Sequence, residues 1–147
     1  MATSTLKWET LPGLTTYLTT ELNALASAGL KTGAAITAGN EMWMRVALDL
    51  AVQGSARSAG AYVGIYVLTS IDGGTKYDYG SDSLAGPANR LRLVLPLDAA
   101  VTARYVTGEV LIPASTHVKL LLLNATGQAF AASGTILSYA FVSEIAE

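Results

Sequence analysis

The chain has 147 residues and no cysteine; 51% of the residues are hydrophobic, 14% are charged, and the formal net charge is −2. This length suits one domain with a sizeable core. The absence of cysteine excludes disulfides and thiolate metal sites. The weak negative net charge provides no positive surface that would attract nucleic acid or anionic lipid. The apolar runs fall short of the about 20 residues that a membrane-spanning helix needs, so the composition favours a protein whose surface is largely covered by partners.

The first 13 residues are predicted to form an extended arm. They are rich in threonine, carry an isolated Trp8 and end at the turn dipeptide Pro12-Gly13. Trp8 either anchors the arm on a neighbouring protein or folds back onto its own domain. Together with the segment that follows, the arm supplies the candidate partner-contacting residues Leu6, Trp8, Leu11 and Tyr17.

A short helix is predicted at about residues 14–28. Its apolar residues recur at spacings of three and four, as they do on one face of a helix; they are Leu14, Tyr17, Leu18, Leu22 and Leu25. Gly29 is well placed to end the helix. Four threonines lower the helical propensity, so we expect this helix to need docking against a sheet or a neighbour.

From residue 42 onward the apolar pattern has a period of two, which is typical of strands. The first strand has a core side made of Met42, Met44, Val46, Leu48, Leu50 and Val52. Further strands are predicted in A-Y-V-G-I-Y-V-L-T-S, N-R-L-R-L-V-L-P, A-V-T-A-R-Y-V-T-G-E-V-L-I-P, H-V-K-L-L-L-L-N and G-T-I-L-S-Y-A-F-V-S. Many strands at regular spacing predict a mainly β protein, an antiparallel β-sandwich in residues 36–147 preceded by the arm and helix in residues 1–35. A jelly roll is the preferred version, and an immunoglobulin-like topology remains open.

The stretch S-I-D-G-G-T-K-Y-D-Y-G-S-D-S, residues 70–83, concentrates charge and glycine in an apolar chain. It fits neither the ligand spacing of an EF-hand nor a phosphate-binding P-loop, although an irregular calcium site built from Asp78 and Asp82 stays open. Because Asp72-Gly73 is a strong turn dipeptide, we interpret the stretch as an exposed loop between two strands and predict no metal site. Its candidate contact residues are Asp72, Lys76, Tyr77, Asp78, Tyr79 and Asp82.

Catalytic groups are scarce. His117 is the single histidine, and Ser115 falls on the same side of a strand two positions earlier, but a Ser–His pair also needs an orienting acid and an oxyanion hole. No G-x-S-x-G turn is present. We therefore predict no catalytic residue, no cofactor and no enzymatic activity. Asn124-Ala-Thr126 matches a glycosylation acceptor but is better interpreted as a turn.

Three stretches together resemble small structural proteins of tailed-bacteriophage virions, in particular β-sandwich capsid decoration (cement) proteins. They are T-T-E-L-N-A-L-A at residues 19–26, Y-V-L-T-S-I-D-G-G-T-K-Y-D-Y-G at residues 66–80, and V-K-L-L-L-L-N-A-T-G-Q-A-F-A-A-S-G-T-I-L at residues 118–137. The resemblance implies a binding protein without a reaction. It would bind the major capsid protein on the outer surface of the virion, often as a homotrimer, and would be made in the host bacterial cytoplasm.

A second class of function remains open at this stage. The 70–83 loop with Tyr77 and Tyr79 could be the contact surface of a carbohydrate- or receptor-binding module on a tail or head fibre, with or without calcium. Both hypotheses predict partners other than nucleic acid or membrane.

Overall fold

The computed structural model describes residues 6–8, 13–39, 41–112, 117–142 and 144–146. Within these ranges helical backbone is limited to two 3₁₀ turns, Thr20–Leu22 and Ala88–Arg90, and no helix is long and apolar enough to cross a membrane. The strands are β1 (Leu6–Trp8), β2 (Thr15–Leu18), β3 (Leu30–Thr32), β4 (Ile36–Thr37), β5 (Trp43–Leu50), β6 (Tyr62–Ser70), β7 (Leu91–Pro96), β8 (Arg104–Leu111), β9 (His117–Ala125), β10 (Ile136–Val142) and β11 (Glu144–Ala146). The predicted mainly β class is confirmed.

Two antiparallel sheets form a β-sandwich-like body. One has four strands in the order β2-β10-β5-β8, and the other has the order β3-β9-β6-β7 with β4 also pairing with β9. Their facing sides contribute the buried residues of one main core cluster. A third, two-stranded sheet joins β1 to β11 near the two ends of the chain; we call it the terminal ribbon.

The strand pairs are nested from the outside of the sequence inward. β2 pairs with β10, β3 and β4 pair with β9, β5 pairs with β8, and β6 pairs with β7, all antiparallel. Pairing of β10 with β5 and of β9 with β6 then joins these pairs into the two sheets. Each sheet therefore contains strands from both halves of the chain. The predicted boundary between residues 35 and 36 falls between β3 and β4, which pair with the same strand.

The period-two pattern predicted from residue 42 is confirmed in β5. Its even-numbered residues, Met44, Val46, Leu48 and Leu50, are fully buried in the core. Met42 and Val52 lie just outside the two ends of the strand and are 64% and 60% exposed. The alternation therefore identifies the core face correctly but extends the strand by one residue at its beginning and two at its end.

Strand β6 is buried on both faces. Val63, Ile65 and Val67 point into the main core. Tyr66 and Leu68 point outward and pack with Leu121 of β9 in a second buried group, which we call the outer cluster. Because the outer face of a two-layer sandwich normally contacts water, something must cover this cluster.

The helix predicted at residues 14–28 is wrong: residues 15–18 form β2 and residues 20–22 a single 3₁₀ turn. Leu18 and Leu22 are both buried in the main core, so the apolar spacing is satisfied by a strand followed by a tight turn. Threonines favour the strand because their branched side chains lose freedom in a helix. Beyond the turn, Ala24 and Ala28 have φ angles of 52° and 61°, which a continuous helix does not contain.

A buried arginine joins two loops at one end of the sandwich. The side chain of Arg57 has no exposed surface; its Nη2 lies 2.6 Å from the Asp98 carboxylate and its Nη1 donates to Gln53 Oε1 at 3.0 Å. Backbone carbonyls of Asp98 and Thr102 accept its remaining bonds. The exposed Arg104 contacts the same carboxylate. The bonds from the two arginines, of which that from Arg104 has the larger effect, lower the pKa of Asp98 to about 2.

We expect Arg57→Leu to lower the free energy of unfolding by about 2–3 kcal/mol, because Gln53 Oε1 and two carbonyls lose their donor inside the protein. The matched control is Arg104→Leu, which removes the exposed arginine from the same carboxylate and should cost less than about 1 kcal/mol. Urea unfolding of both variants measures the difference. Equal losses would contradict the assignment of Arg57 as the central residue of this network.

Candidate functional site

The loop that connects β6 to β7, residues 71–90, begins with a turn built on Asp72. One oxygen of its carboxylate accepts bonds from the Ser70 hydroxyl at 2.7 Å, the Thr75 amide at 3.1 Å and the Lys76 amide at 2.8 Å. These bonds, the one from Lys76 above all, lower the pKa of Asp72. The turn predicted at Asp72-Gly73 is present, and the exposed carboxylate is already occupied by its own backbone.

Asp78 takes the place of a missing strand residue beside β6. Strand β7 pairs with β6 only from Tyr62 to Tyr66, so Thr69 has no strand neighbour on that side. The Asp78 carboxylate accepts the Thr69 amide at 2.9 Å and its hydroxyl at 2.8 Å, while the Asp78 amide donates to the Thr69 carbonyl at 3.0 Å. Arg90 Nε lies 2.7 Å from the same carboxylate. Asp78 thereby satisfies both backbone groups of an unpaired edge residue.

Asp82 bonds to the opposite edge of the sheet. Its carboxylate accepts the Thr32 amide at 2.8 Å and the Lys31 ammonium at 2.5 Å, and both belong to the edge strand β3. Strand β9 lies between β3 and β6, so the two edges are about 10 Å apart. Residues 78–82, which we call the strap, therefore cross the outer face of the sheet and end on a carboxylate at each edge.

Gly80 lies at the middle of the strap, directly on the outer cluster. A Cβ at this position would stand 3.0 Å from Leu68 and 3.1 Å from Leu121, and its φ of +152° is one that other residues rarely adopt. Leu68 and Leu121 are 1% and 0% exposed. The strap thus helps to keep this second apolar group out of water, together with Gly86, where an added Cβ would also stand 3.0 Å from Leu68.

Two further contacts hold the loop next to the strap. Lys119 of β9 places its ammonium 4.4 Å from the centre of the Tyr77 ring, a cation–π distance. A Cβ on Gly74 would stand 3.0 Å from the His117 ring, so the loop also lies close to the beginning of β9. Tyr79 points away from the sheet and is 60% exposed.

A shallow cleft of about 410 Å³ opens beside the strap, lined by Thr69, Ile71, Asp72, Lys76, Tyr77, Asp78 and Arg90. Burial alone would raise the pKa of the Asp78 carboxyl, but its bonds from Thr69 and Arg90 outweigh this and lower it. The Asp82 carboxyl also has a lowered pKa, chiefly through Lys31 and then Thr32. Carboxylates that bind protons this weakly are poor general bases at neutral pH.

The structure separates Asp78 and Asp82, from which an irregular calcium site could have been built, because they bond to opposite edges of the sheet. Within the described ranges, no three His, Asp or Glu side chains are grouped so that they could hold a metal ion. Ser115, the predicted neighbour of His117, lies outside the described residues. The turn predicted at Asn124-Ala-Thr126 is wrong for its first two residues, because β9 extends to Ala125; Asn124 is fully buried and donates to three backbone carbonyls.

The four residues predicted to contact a partner are placed differently from one another. Leu6 and Trp8 lie in β1, whose backbone pairs with β11, and Leu11 lies outside the described residues. Tyr17 lies in β2, and its hydroxyl bonds to the carbonyl of Ala34 and to both backbone groups of Leu120. Its burial raises the pKa of the phenol to about 12. Tyr17 therefore ties one sheet to the other.

Sequence reasoning missed a group of exposed apolar residues at one end of β5 and β8. Trp43 pairs directly with Leu111 on the outer face of the four-stranded sheet, and they are 37% and 48% exposed. Met42 precedes Trp43 in the chain. We call these three residues the apolar corner. The pattern A-R-Y-V-T-G-E-V-L contained a signal for these exposed residues. Tyr105 and Leu111 are both odd-numbered, so they lie on the face of the strand opposite to the buried Val110.

Comparison with known protein families and with curated proteins returns no match.

We expect Gly80→Ala to displace the strap, because the added methyl group would meet Leu68 and Leu121 and the backbone angle would be strained. The cost should be about 2 kcal/mol or more. Gly73→Ala is the control: Gly73 also has a positive φ, of +76°, but open space around it, and should cost about 1 kcal/mol. Hydrogen exchange should accelerate at the Thr32 and Thr69 amides in Gly80→Ala alone. Unchanged exchange there would contradict the strap.

Acid should release the strap. Since the folded-state pKa values of Asp78 and Asp82 lie below 3.8, their contribution to stability is present above that pH and is lost as the pH falls through the lowered values. As the pH falls below 3.8 we expect lower protection from hydrogen exchange at the Thr32 and Thr69 amides, measured against the intrinsic exchange rate at each pH, and binding of an apolar dye. The double variant Asp78→Asn, Asp82→Asn should lose this dependence, whereas Asp98→Asn, at another site, should keep it.

Proposed function

We propose that this chain is a structural protein of a tailed-bacteriophage virion, a capsid decoration protein that binds the major capsid protein on the outer surface of the head and bridges its subunits. The proposal rests on the resemblance of residues 19–26, 66–80 and 118–137 and on one feature of the surface, the apolar corner. It describes a binding protein, assembled as a homotrimer, with no reaction.

The strand order supports the jelly-roll version of the sandwich, which we include in the proposal. A jelly roll is a long antiparallel ribbon folded over so that its first and last strands pair and the inner pairs follow in order. The nested pairs here, β2 with β10, β3 and β4 with β9, β5 with β8, and β6 with β7, have this arrangement.

The apolar corner carries the proposal because it is continuous with the terminal ribbon. Val142, the last residue of β10, pairs with Trp43, and β11 follows one residue later to pair with β1. The ribbon that contains Leu6 and Trp8 thus begins at the edge of the exposed Trp43–Leu111 pair. An extended ribbon beside exposed aromatic and aliphatic side chains is suited to lie along another protein.

The carbohydrate- or receptor-binding alternative has less support. It retains the cleft beside the strap and the exposed Tyr79, but Asp72, Asp78 and Asp82 all bond to the protein's own backbone. A ligand that needed these carboxylates would have to displace the strap and uncover the outer cluster. We therefore rank this function second.

Electron cryo-microscopy of the parent virion tests the location directly: we expect density for this chain on the outer surface of the head.

Binding of the purified protein to particles that lack it tests whether the apolar corner is the contact surface. Met42→Ser should weaken binding about 5- to 30-fold, which corresponds to about 1–2 kcal/mol of lost apolar burial. Val52→Ser, at the other end of β5 and equally exposed, is the control and should bind normally. Density in the tail alone, or equal loss in both variants, would overturn the proposal.

A further inference from the structure

The edges of the two sheets are protected to very different degrees. An exposed edge strand offers unpaired backbone groups to other chains, and proteins usually shorten it, bend it, charge it or cover it. Strand β3 has three residues and is capped by Asp82. Strand β2 has four residues and a register shift against β10. Strand β7 ends in Pro96 and also pairs with a register shift.

Strand β8 has none of these protections. It has eight residues without proline, pairs with β5 without any register shift, and ends its sheet. Its two charged side chains are neutralised from within the chain, since Arg104 contacts Asp98 and Glu109 lies 2.5 Å from Arg45. Among the described strands, this is the one long and regular edge.

The direction of its free backbone groups follows from the register. The Ile112 amide donates to the Met42 carbonyl of the preceding partner segment, and hydrogen-bonding direction alternates along an antiparallel strand. The even-numbered residues of β8 therefore bond to β5. The N–H and C=O groups of Tyr105, Thr107, Glu109 and Leu111 point toward the open edge.

We propose that β8 pairs with β8 of a second copy of this chain, antiparallel, across a two-fold axis at Gly108. This register places Tyr105 opposite Leu111, two side chains that are 62% and 48% exposed, and Thr107 opposite Glu109. All four residues with free backbone groups then find partners, giving about eight hydrogen bonds.

Gly108 suits the axis because the central pair is of the non-hydrogen-bonded kind, in which the Cα atoms approach to about 4.5 Å and side chains would be closest. Its own missing side chain is replaced on the core side by Leu93 of β7, which lies 2.5 Å from where a Cβ would stand. A two-fold axis requires a self-complementary surface. An axis at Thr107 would instead set Tyr105 against the charged Glu109.

This contact does not depend on the proposed function, and it is distinct from a three-fold one. A protein that uses it has an even number of copies, two if it acts alone and six if it joins two trimers. Sedimentation equilibrium should therefore give twice or six times the protomer mass. Thr107→Pro should halve that mass, because proline removes a free edge N–H but no bond to β5. Thr107→Ser should leave it unchanged. A wild-type monomer or trimer would overturn the contact.

A second measurement does not depend on the proline variant folding. Because the chain has no cysteine, single substitutions report cleanly. Thr107→Cys and Glu109→Cys proteins, mixed and oxidised, should form a mixed disulfide, since hydrogen-bonded partners lie about 5.5 Å apart. The Thr107→Cys protein alone, or the Glu109→Cys protein alone, should cross-link at least about tenfold more slowly. In such a dimer the two cysteines have the same residue number and are two residues away from direct pairing. No mixed product, or equal linking in all samples, would refute the register and the axis.

Discussion

Antiparallel pairing between the beginning and the end of the chain is the constraint on which the other features depend. Because β2 pairs with β10, and β3 and β4 with β9, neither sheet is complete until its first and last strands have met. The resulting contacts are predominantly between residues distant in sequence, which makes loop closure a large part of the cost of folding. Tyr17 reinforces this closure, since it lies in β2 and bonds to the backbone of β9.

The nested order also explains why the 71–90 loop cannot be a simple turn. Strand β6 is long because it lies between β9 and β7, but β7 reaches only as far as Tyr66. The end of β6 is left with an unpaired edge and an apolar outer face. The strap pairs with the edges and covers the apolar face. Asp78 bonds to Thr69 at one edge and Asp82 bonds to Thr32 at the other. Gly80 lies on the leucines between these two edges.

The sequence was sufficient for features that depend on local periodicity and insufficient for those that depend on which strands are neighbours. Alternation located β5 and its core face, and the same reasoning misassigned residues 14–28 because Leu18 and Leu22 have a spacing that a strand followed by a 3₁₀ turn also satisfies. The aspartates of the strap resembled ligands because their backbone partners lie on β3 and β6. Arg57, within G-S-A-R-S-A-G, gave no sign of burial, since most of its acceptors come from the loop between β7 and β8, about 40 residues later in the chain.

The chain has few charged side chains, and several of them form bonds that hold the fold together. Asp78 and Asp82 cap two edges of one sheet, and Asp98 neutralises one buried and one exposed arginine. Charges held by neighbours within the chain contribute little to keeping other molecules away from an edge, which is their usual role there. The Arg45–Glu109 pair illustrates this on β8: it leaves a nearly neutral strand, with exposed apolar side chains at both ends and backbone groups facing outward. Low charge and an open edge therefore act together: both leave β8 with little to oppose pairing with another strand.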